Sequence, residues 1–165
     1  MGRLTTTQVC ACLFLLECLC APVLFAEDSS APAILWRDMA ASSLAEQPFP
    51  PRKPWVIRER PIAFDTRLLA ILKDAGARPH PPVTVELFDS LRYQLEITST
   101  VSRINDSAVI RGLLRGQTRG ELTLVVNGTT VGGTIKIGDR PFKVEHVSNG
   151  RHRLLELDPD KMPPD

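Results

Sequence analysis

Proline and glycine divide this 165-residue chain into two stretches that cannot fold alike. Residues 27–82 hold nine prolines and a single glycine, Gly76, whereas residues 83–157 hold one proline, Pro141, and eight glycines. Proline lacks an amide hydrogen and is kept out of sheet interiors. The first stretch is therefore expected to run as an extended arm outside any paired sheet. The second is free to form one.

A strand period runs through that second stretch. In LRYQLEITSTV, Leu91, Tyr93, Leu95, Ile97 and Val101 fall on one face, with Arg92, Gln94, Glu96, Thr98 and Thr100 on the other. Such alternation means one buried and one wetted face, as in an antiparallel sheet. VTVELF precedes it as a short strand, Asn105-Asp106 makes a turn, AVIRGLLR is a strand, and Gly116 to Gly120 turns again. Asn127-Gly128 and Asn149-Gly150 each lie between β-prone runs, and both residues of such a pair tolerate the positive φ of a type I′ hairpin. Gly138-Asp139 supplies a further turn. The fold class that follows is mainly β. Residues 83–158 are expected to form an antiparallel up-and-down meander of about seven strands, twisted into a sandwich or partial barrel, before a tail at 159–165.

Within the arm, ILWRDMAASSLA reads as a short helix. IRERPIAFDTRLLAILKDAGA reads as a short extended piece to Phe64, Asp65 as N-cap, and a helix over 66–75 stopped by Gly76. Leu68, Leu69, Ile71 and Leu72 give this helix an apolar side that would cover one open face of the sheet.

At the N-terminus, MGRLTTTQVCACLFLLECLCAPVLFA places Arg3 ahead of an apolar run and the small Ala26 just before Glu27. That is the layout of a secretory signal over 1–26, cleaved between Ala26 and Glu27, and it directs the chain to the periplasm or the exterior. Val9 to Ala26 is 18 residues interrupted by Glu17, at the short limit for crossing a bilayer, so no stable span is expected. A lipid-anchored cysteine wants a small residue before it, whereas Cys18 follows Glu17 and Cys20 follows Leu19. All four cysteines lie in this segment, so the 139 residues left after cleavage have neither a disulfide framework nor a thiolate metal site. A net charge of +1, with only Phe88, Tyr93 and Phe142 as aromatics beyond position 82, leaves no footprint for nucleic acid.

Candidate sites are few. No zinc-protease helix motif, phosphate-cradling loop or nucleophile elbow is present, so no catalytic, cofactor or metal residue is assigned. His146 and His152 suggest a metal pair, but a two-residue turn at Asn149-Gly150 would set Val147 opposite His152 and His146 opposite Arg153. Successive strand residues point to opposite faces, so the two rings would lie on opposite sides of the sheet as ordinary surface histidines. Gly132-Gly133 inside a strand reads either as a bend where the sheet coils or as bare backbone against which a partner chain can lie. Asn105-Asp106-Ser107 and Asn127-Gly128-Thr129 fit the N-glycosylation pattern, which matters only on a eukaryotic secretory route.

VTVELFDSLRYQLEITSTVSR, followed by VIRGLLRGQTRGELTLVVNGTTVGGTIKIGDRPFKVEHVSNGRHRLLELDPDKMPPD, resembles the propeptide domain that precedes the catalytic domain of secreted reprolysin-like (adamalysin-type) zinc metallopeptidases. The shared pattern is a strand ending in Leu87-Phe88-Asp89, then Arg111-Gly112, a β-run with an Asn-Gly turn, Gly133-Thr134-Ile135, the strand Phe142-Lys143-Val144, and His152 to Asp158 before prolines. RERPIAFDTRLLAILKDA also looks like the short strand and helix upstream there, so the likeness spans residues 55–165. Three features depart from the family. The HExxHxxGxxH helix is missing, no cysteine remains after cleavage to reach a zinc, and Phe142 and Ile110 stand where tyrosine and tryptophan are frequent. The resemblance implies a non-catalytic module that packs against an exported zinc metallopeptidase, aids its folding and blocks it sterically. The chain would then act in trans, as an orphan or truncated pro-domain. The alternative is an exported β-domain that binds a cell-envelope component or serves as a spacer.

Overall fold

The computed structural model describes residues 32–39, 50–116 and 118–163, which belong to the unit Ala31–Asp165. The signal segment and its Ala26–Glu27 junction lie outside the described residues, as does the second half of the helix expected in ILWRDMAASSLA.

The strands in order are β1 (Ala33–Ile34), β2 (Trp36–Asp38), β3 (Val56–Phe64), β4 (Val83–Glu86), β5 (Arg92–Ser102), β6 (Ser107–Arg115), β7 (Gly120–Asn127), β8 (Thr130–Ile137), β9 (Arg140–Ser148) and β10 (Arg151–Leu157). Helix α1 (Thr66–Lys73) follows β3, and short 3₁₀ turns occupy Phe88–Ser90 and Pro159–Lys161. Among the described residues these strands make one ten-stranded, mostly antiparallel sheet that curls into a nearly closed barrel, in the order β1-β4-β5-β6-β7-β8-β9-β10-β3-β2. Its middle run, β4 to β10, is the meander that the alternation and turn residues predict.

The two end strands of the sheet are consecutive in the chain, separated only by Leu35. One half of this segment pairs in parallel with β4 and the other half antiparallel with β3. Leu35 itself is fully buried; its amide donates to the Thr84 carbonyl at 2.9 Å and its carbonyl accepts from Asp65 N at 3.0 Å. Trp36 Nε1 donates to the Glu86 carbonyl at 2.8 Å. A six-residue stave thus closes the barrel, and closure removes the sheet edges that would otherwise invite pairing with other chains.

This overturns the expectation that the proline-rich stretch stays outside the sheet, because β3 contains Pro61 and pairs on both sides. The N and O of one antiparallel residue point the same way. The Pro61 carbonyl accepts from Met39 N at 3.2 Å, just beyond the end of β2, so the missing donor falls where that neighbour runs out. Ile34 to Asp38 is likewise strand rather than helix.

Helix α1 begins as expected. The Asp65 side chain accepts from Arg67 N and Leu68 N, both at 3.0 Å, satisfying two otherwise orphaned donors. The helix ends at Lys73 rather than at 75, because the Asp74 carboxylate turns back to Gly76 N at 2.8 Å and Ser102 Oγ donates to the Lys73 carbonyl. Leu68, Leu69 and Leu72 enter the core, while Ile71, placed on the apolar side by the sequence, is 43% exposed.

Bulges redirect several side chains. The β5–β6 register shifts between Ile97 and Ser99, so Thr100 points inward and donates to the Leu72 carbonyl at 3.1 Å, while Val101 faces solvent. The alternation that places Val101 on the buried face fails at this point, since one inserted residue exchanges the faces of everything after it. β10 is covered on both faces. Leu154 belongs to the barrel interior, while Leu155 and Leu157 pack outside it with Val56 and Trp55. Arg153, also on the outer side and 5% exposed, is held by Glu59, Glu145 and the Pro50 carbonyl. Residues 50–55 therefore lie along the outside of β10. Among the described residues no helix is long and apolar enough to cross a membrane.

Candidate functional site

The last hairpin sets the site. Asn149 and Gly150 adopt φ of 47° and 72° and form the two-residue loop closed by Ser148 and Arg151, the type I′ geometry that only Asn, Asp and Gly tolerate well. The register then shifts: after Arg151↔Ser148 the next pair is His152↔His146, and Val147 is the bulged residue. The two histidines that simple counting sets on opposite faces therefore stand side by side. His146 Nδ1 lies 3.3 Å from His152 Nε2, with ring centroids 5.0 Å apart.

His152 is 2% exposed, at the mouth of the barrel that α1 crosses. Its partners follow from where the neighbouring ladder stops. The β8–β9 pairing ends at Gly133↔Val144, so the Val131 amide finds no strand partner on that side. It donates instead to His152 Nε2 at 3.1 Å. The Phe64 ring meets the imidazole edge-on, centroids 5.0 Å apart, and is itself braced by Trp36 at 5.3 Å.

Burial, then repulsion from His146, pushes the His152 pKa down to about 4, with the Gly150 carbonyl pulling the other way. The ring is therefore neutral near pH 7. Because Nε2 accepts from Val131, the proton sits on Nδ1. That nitrogen is buried out of reach of solvent. A cavity of about 180 Å³ opens at this mouth, lined by Phe64, Leu69, Ala70, Lys73, Thr129 and His152.

The lone pair that a general base or metal ligand would use on Nε2 is engaged by Val131. Among the described residues no three His, Cys, Asp or Glu side chains converge. The pair acts as a polar clasp that holds the end of β8 to β10.

The opposite mouth is plugged by charge. Glu156, on the inward side of β10, takes hydrogen bonds from Arg58 and Arg140, and Arg58 also grips Asp89 through both of its terminal nitrogens at 2.8 and 2.7 Å. The Arg58 guanidinium stacks over Phe88 at 4.5 Å. Its hydrogen bonds, before all else, hold the Asp89 carboxyl below its usual range.

The turn residues named from the sequence fall as follows. Gly138-Asp139 forms the loop between Ile137 and Arg140. Asn127, expected in a turn, is instead the last residue of β7, paired with Thr130, and the loop is Gly128-Thr129. Only Gly128 has positive φ, which makes this a type II′ turn with glycine at its first position.

The two adjacent glycines of β8 differ. A Cβ at Gly133 would lie 2.3 Å from the Thr123 carbonyl oxygen and 2.7 Å from Leu124 Cδ2, so the missing side chain lets β7 approach as the sheet coils. At Gly132 the nearest atom would be Val144 O at 3.8 Å, an ordinary contact. Gly132 ends a cross-strand row on the outer wall, Val101↔Val109↔Val125↔Gly132, in which Val101 is 48% and Val125 51% exposed. The row escapes sequence reading because the β5 bulge turns Val101 outward.

No protein-family model matches this chain, no curated protein matches it, and no solved structure matches it.

Proposed function

We propose that this chain is an exported, non-catalytic module of the propeptide type, which binds a zinc metallopeptidase through the outer wall of its barrel, aids its folding and blocks it by bulk. The observation that carries this reading is the valine row, Val101, Val109 and Val125, running into bare backbone at Gly132. The barrel interior is filled by its own side chains, which leaves recognition to the outside. The next row along the wall, Ser99, Arg111, Thr123 and Thr134, is polar, so the valines stand out as an apolar strip of the kind that marks protein contacts. The resemblance of residues 55–165 to pro-domains supplies the class of partner, and the segment 1–26 supplies export. Without a cysteine beyond Cys20 to reach a zinc, inhibition is steric.

The test is a titration of the purified chain against the exported HExxH peptidase encoded nearest to it, reading peptide hydrolysis and refolding yield. Slower hydrolysis or higher yield is expected at micromolar concentration. A Val101→Glu/Val125→Glu variant should lose the effect with an unchanged melting temperature, since both side chains face water. No change in either readout overturns the proposal, and recovery of an envelope component in place of a peptidase from the exported fraction favours the spacer or envelope-binding alternative.

A further inference from the structure

The valine row has an arginine on each side of it. One row along, Ser99, Arg111, Thr123 and Thr134 lie abreast. One row the other way, Arg103 N donates to the Ser107 carbonyl at 2.8 Å, beside Asn127 and Thr130. Residues two apart on a strand share a face, so Arg111 stands on the same side of the wall as Val109. Arg103 stands two residues beyond Val101, where β5 ends. Both arginines are exposed, and among the described residues neither side chain makes an ion pair. The carboxylates of β5 to β8 and their turns have cations of their own: Glu96 is bonded by Arg115, Asp106 by Lys73 at 2.6 Å, and Glu121 sits opposite Lys136. The strip is thus apolar along its middle and positive at both margins.

Charge selects the occupant. Two unpaired guanidinium groups repel a basic segment and attract an acidic one, and the planar fork of arginine matches a carboxylate. The rows of Ser107 and Arg111 are four residues apart along β6, about 13 Å at about 3.3 Å per residue. An extended chain covers that length with about five residues. Taking the outer wall as the contact face, as proposed above, we infer that its occupant is an extended acidic segment of the partner. Its apolar side chains lie over Val101, Val109 and Val125, and a carboxylate at either end meets Arg103 and Arg111. At Gly132 no side chain stands proud, so the segment's backbone can close on the wall. Binding makes and breaks no covalent bond.

The test uses the purified chain and three capped peptides with the cores Glu-Val-Ile-Val-Glu, Gln-Val-Ile-Val-Gln and Lys-Val-Ile-Val-Lys, read by backbone amide NMR shifts in β5 to β8. At about 50 mM salt the acidic core should bind about threefold tighter than the neutral one and about tenfold tighter than the basic one, and the differences should vanish at about 1 M salt. Arg103→Gln/Arg111→Gln should erase the preference with an unchanged melting temperature, since both side chains face water. Val101→Ser/Val125→Ser should weaken all three peptides alike. Against a peptidase that the chain slows, the arginine variant should inhibit several-fold more weakly at low salt and equally at high salt. Inhibition indifferent to both the arginines and salt overturns the inference and leaves the peptidase reading standing. Peptide preference without any inhibition removes the peptidase reading and leaves the acidic site standing. Equal affinity for the acidic and basic cores, a preference kept in the arginine variant, shifts away from the valine row, or no millimolar binding each overturns the inference.

Discussion

The rings of His146 and His152 meet across the last hairpin, Nδ1 to Nε2 at 3.3 Å, because Val147 bulges out of register. His152 is the buried member, with its pKa pushed from 6.5 down to about 4. Below pH 6.5 the unfolded chain therefore takes up a proton that the folded chain refuses. Stability should be complete above about pH 6.5, fall as pH drops toward 4, and change no further through this group below that. The span corresponds to about 3 kcal/mol. Asp89, held low by Arg58, acts in a separate, lower window, losing its contribution as pH falls below the ordinary carboxylate value of 3.8. Urea unfolding at pH 7, 6, 5 and 4, with an NMR titration of the rings, checks this. A flat profile with His152 titrating near 6.5 would contradict the burial argument.

Gly132 and Gly133 should respond in opposite ways to alanine. Gly133→Ala drives a methyl into the Thr123 carbonyl and should cost about 1–3 kcal/mol through strand displacement. Gly132→Ala meets only ordinary contact and should be neutral or stabilise by about 0.5 kcal/mol, by restricting the unfolded chain. Denaturant midpoints for the two variants decide it, and equal losses would remove the distinction between them.

Trp36 is 1% exposed in the closing stave, and its indole donates to the Glu86 carbonyl on β4. Trp36→Ala should cost about 3–5 kcal/mol, whereas Trp36→Phe keeps most of the packing and should lose about 1 kcal/mol for the bond. Loss of near-ultraviolet circular dichroism in the alanine variant at temperatures where the parent is native would show the barrel opening. Equal stability of the two variants would mean that the stave is not what closes it.

Arg153→Met should release residues 50–55 from β10. The buried guanidinium holds Glu59, Glu145 and the Pro50 carbonyl together, and its loss should cost about 2 kcal/mol, discounted for the partial exposure of both carboxylates. Trypsin should then cut after Arg52 faster than in the parent, the Lys53–Pro54 bond being resistant to it. Unchanged cleavage would show that Trp55 and its apolar neighbours hold the strap unaided.

What could be read from residues alone was whatever depends on near neighbours. Period-two alternation in β5 to β7, the φ demands met at Gly138 and at Asn149-Gly150, and the Asp65 cap are each decided within a few residues. The seven-strand meander from β4 to β10 follows from them. The stave and β3 are different, because their partners are remote: Leu35 bonds to Thr84, and β3 pairs with β10. Proline content argues against strand only where the missing amide is needed, and for Pro61 that depends on where β2 stops. Bulges set the other limit. Alternation can be counted along a strand only until a residue is inserted, and the insertions at Thr98 and Val147 are settled by packing across the barrel. Those two slips turned Val101 outward and brought the histidines together, so the tertiary structure alone decided both arrangements.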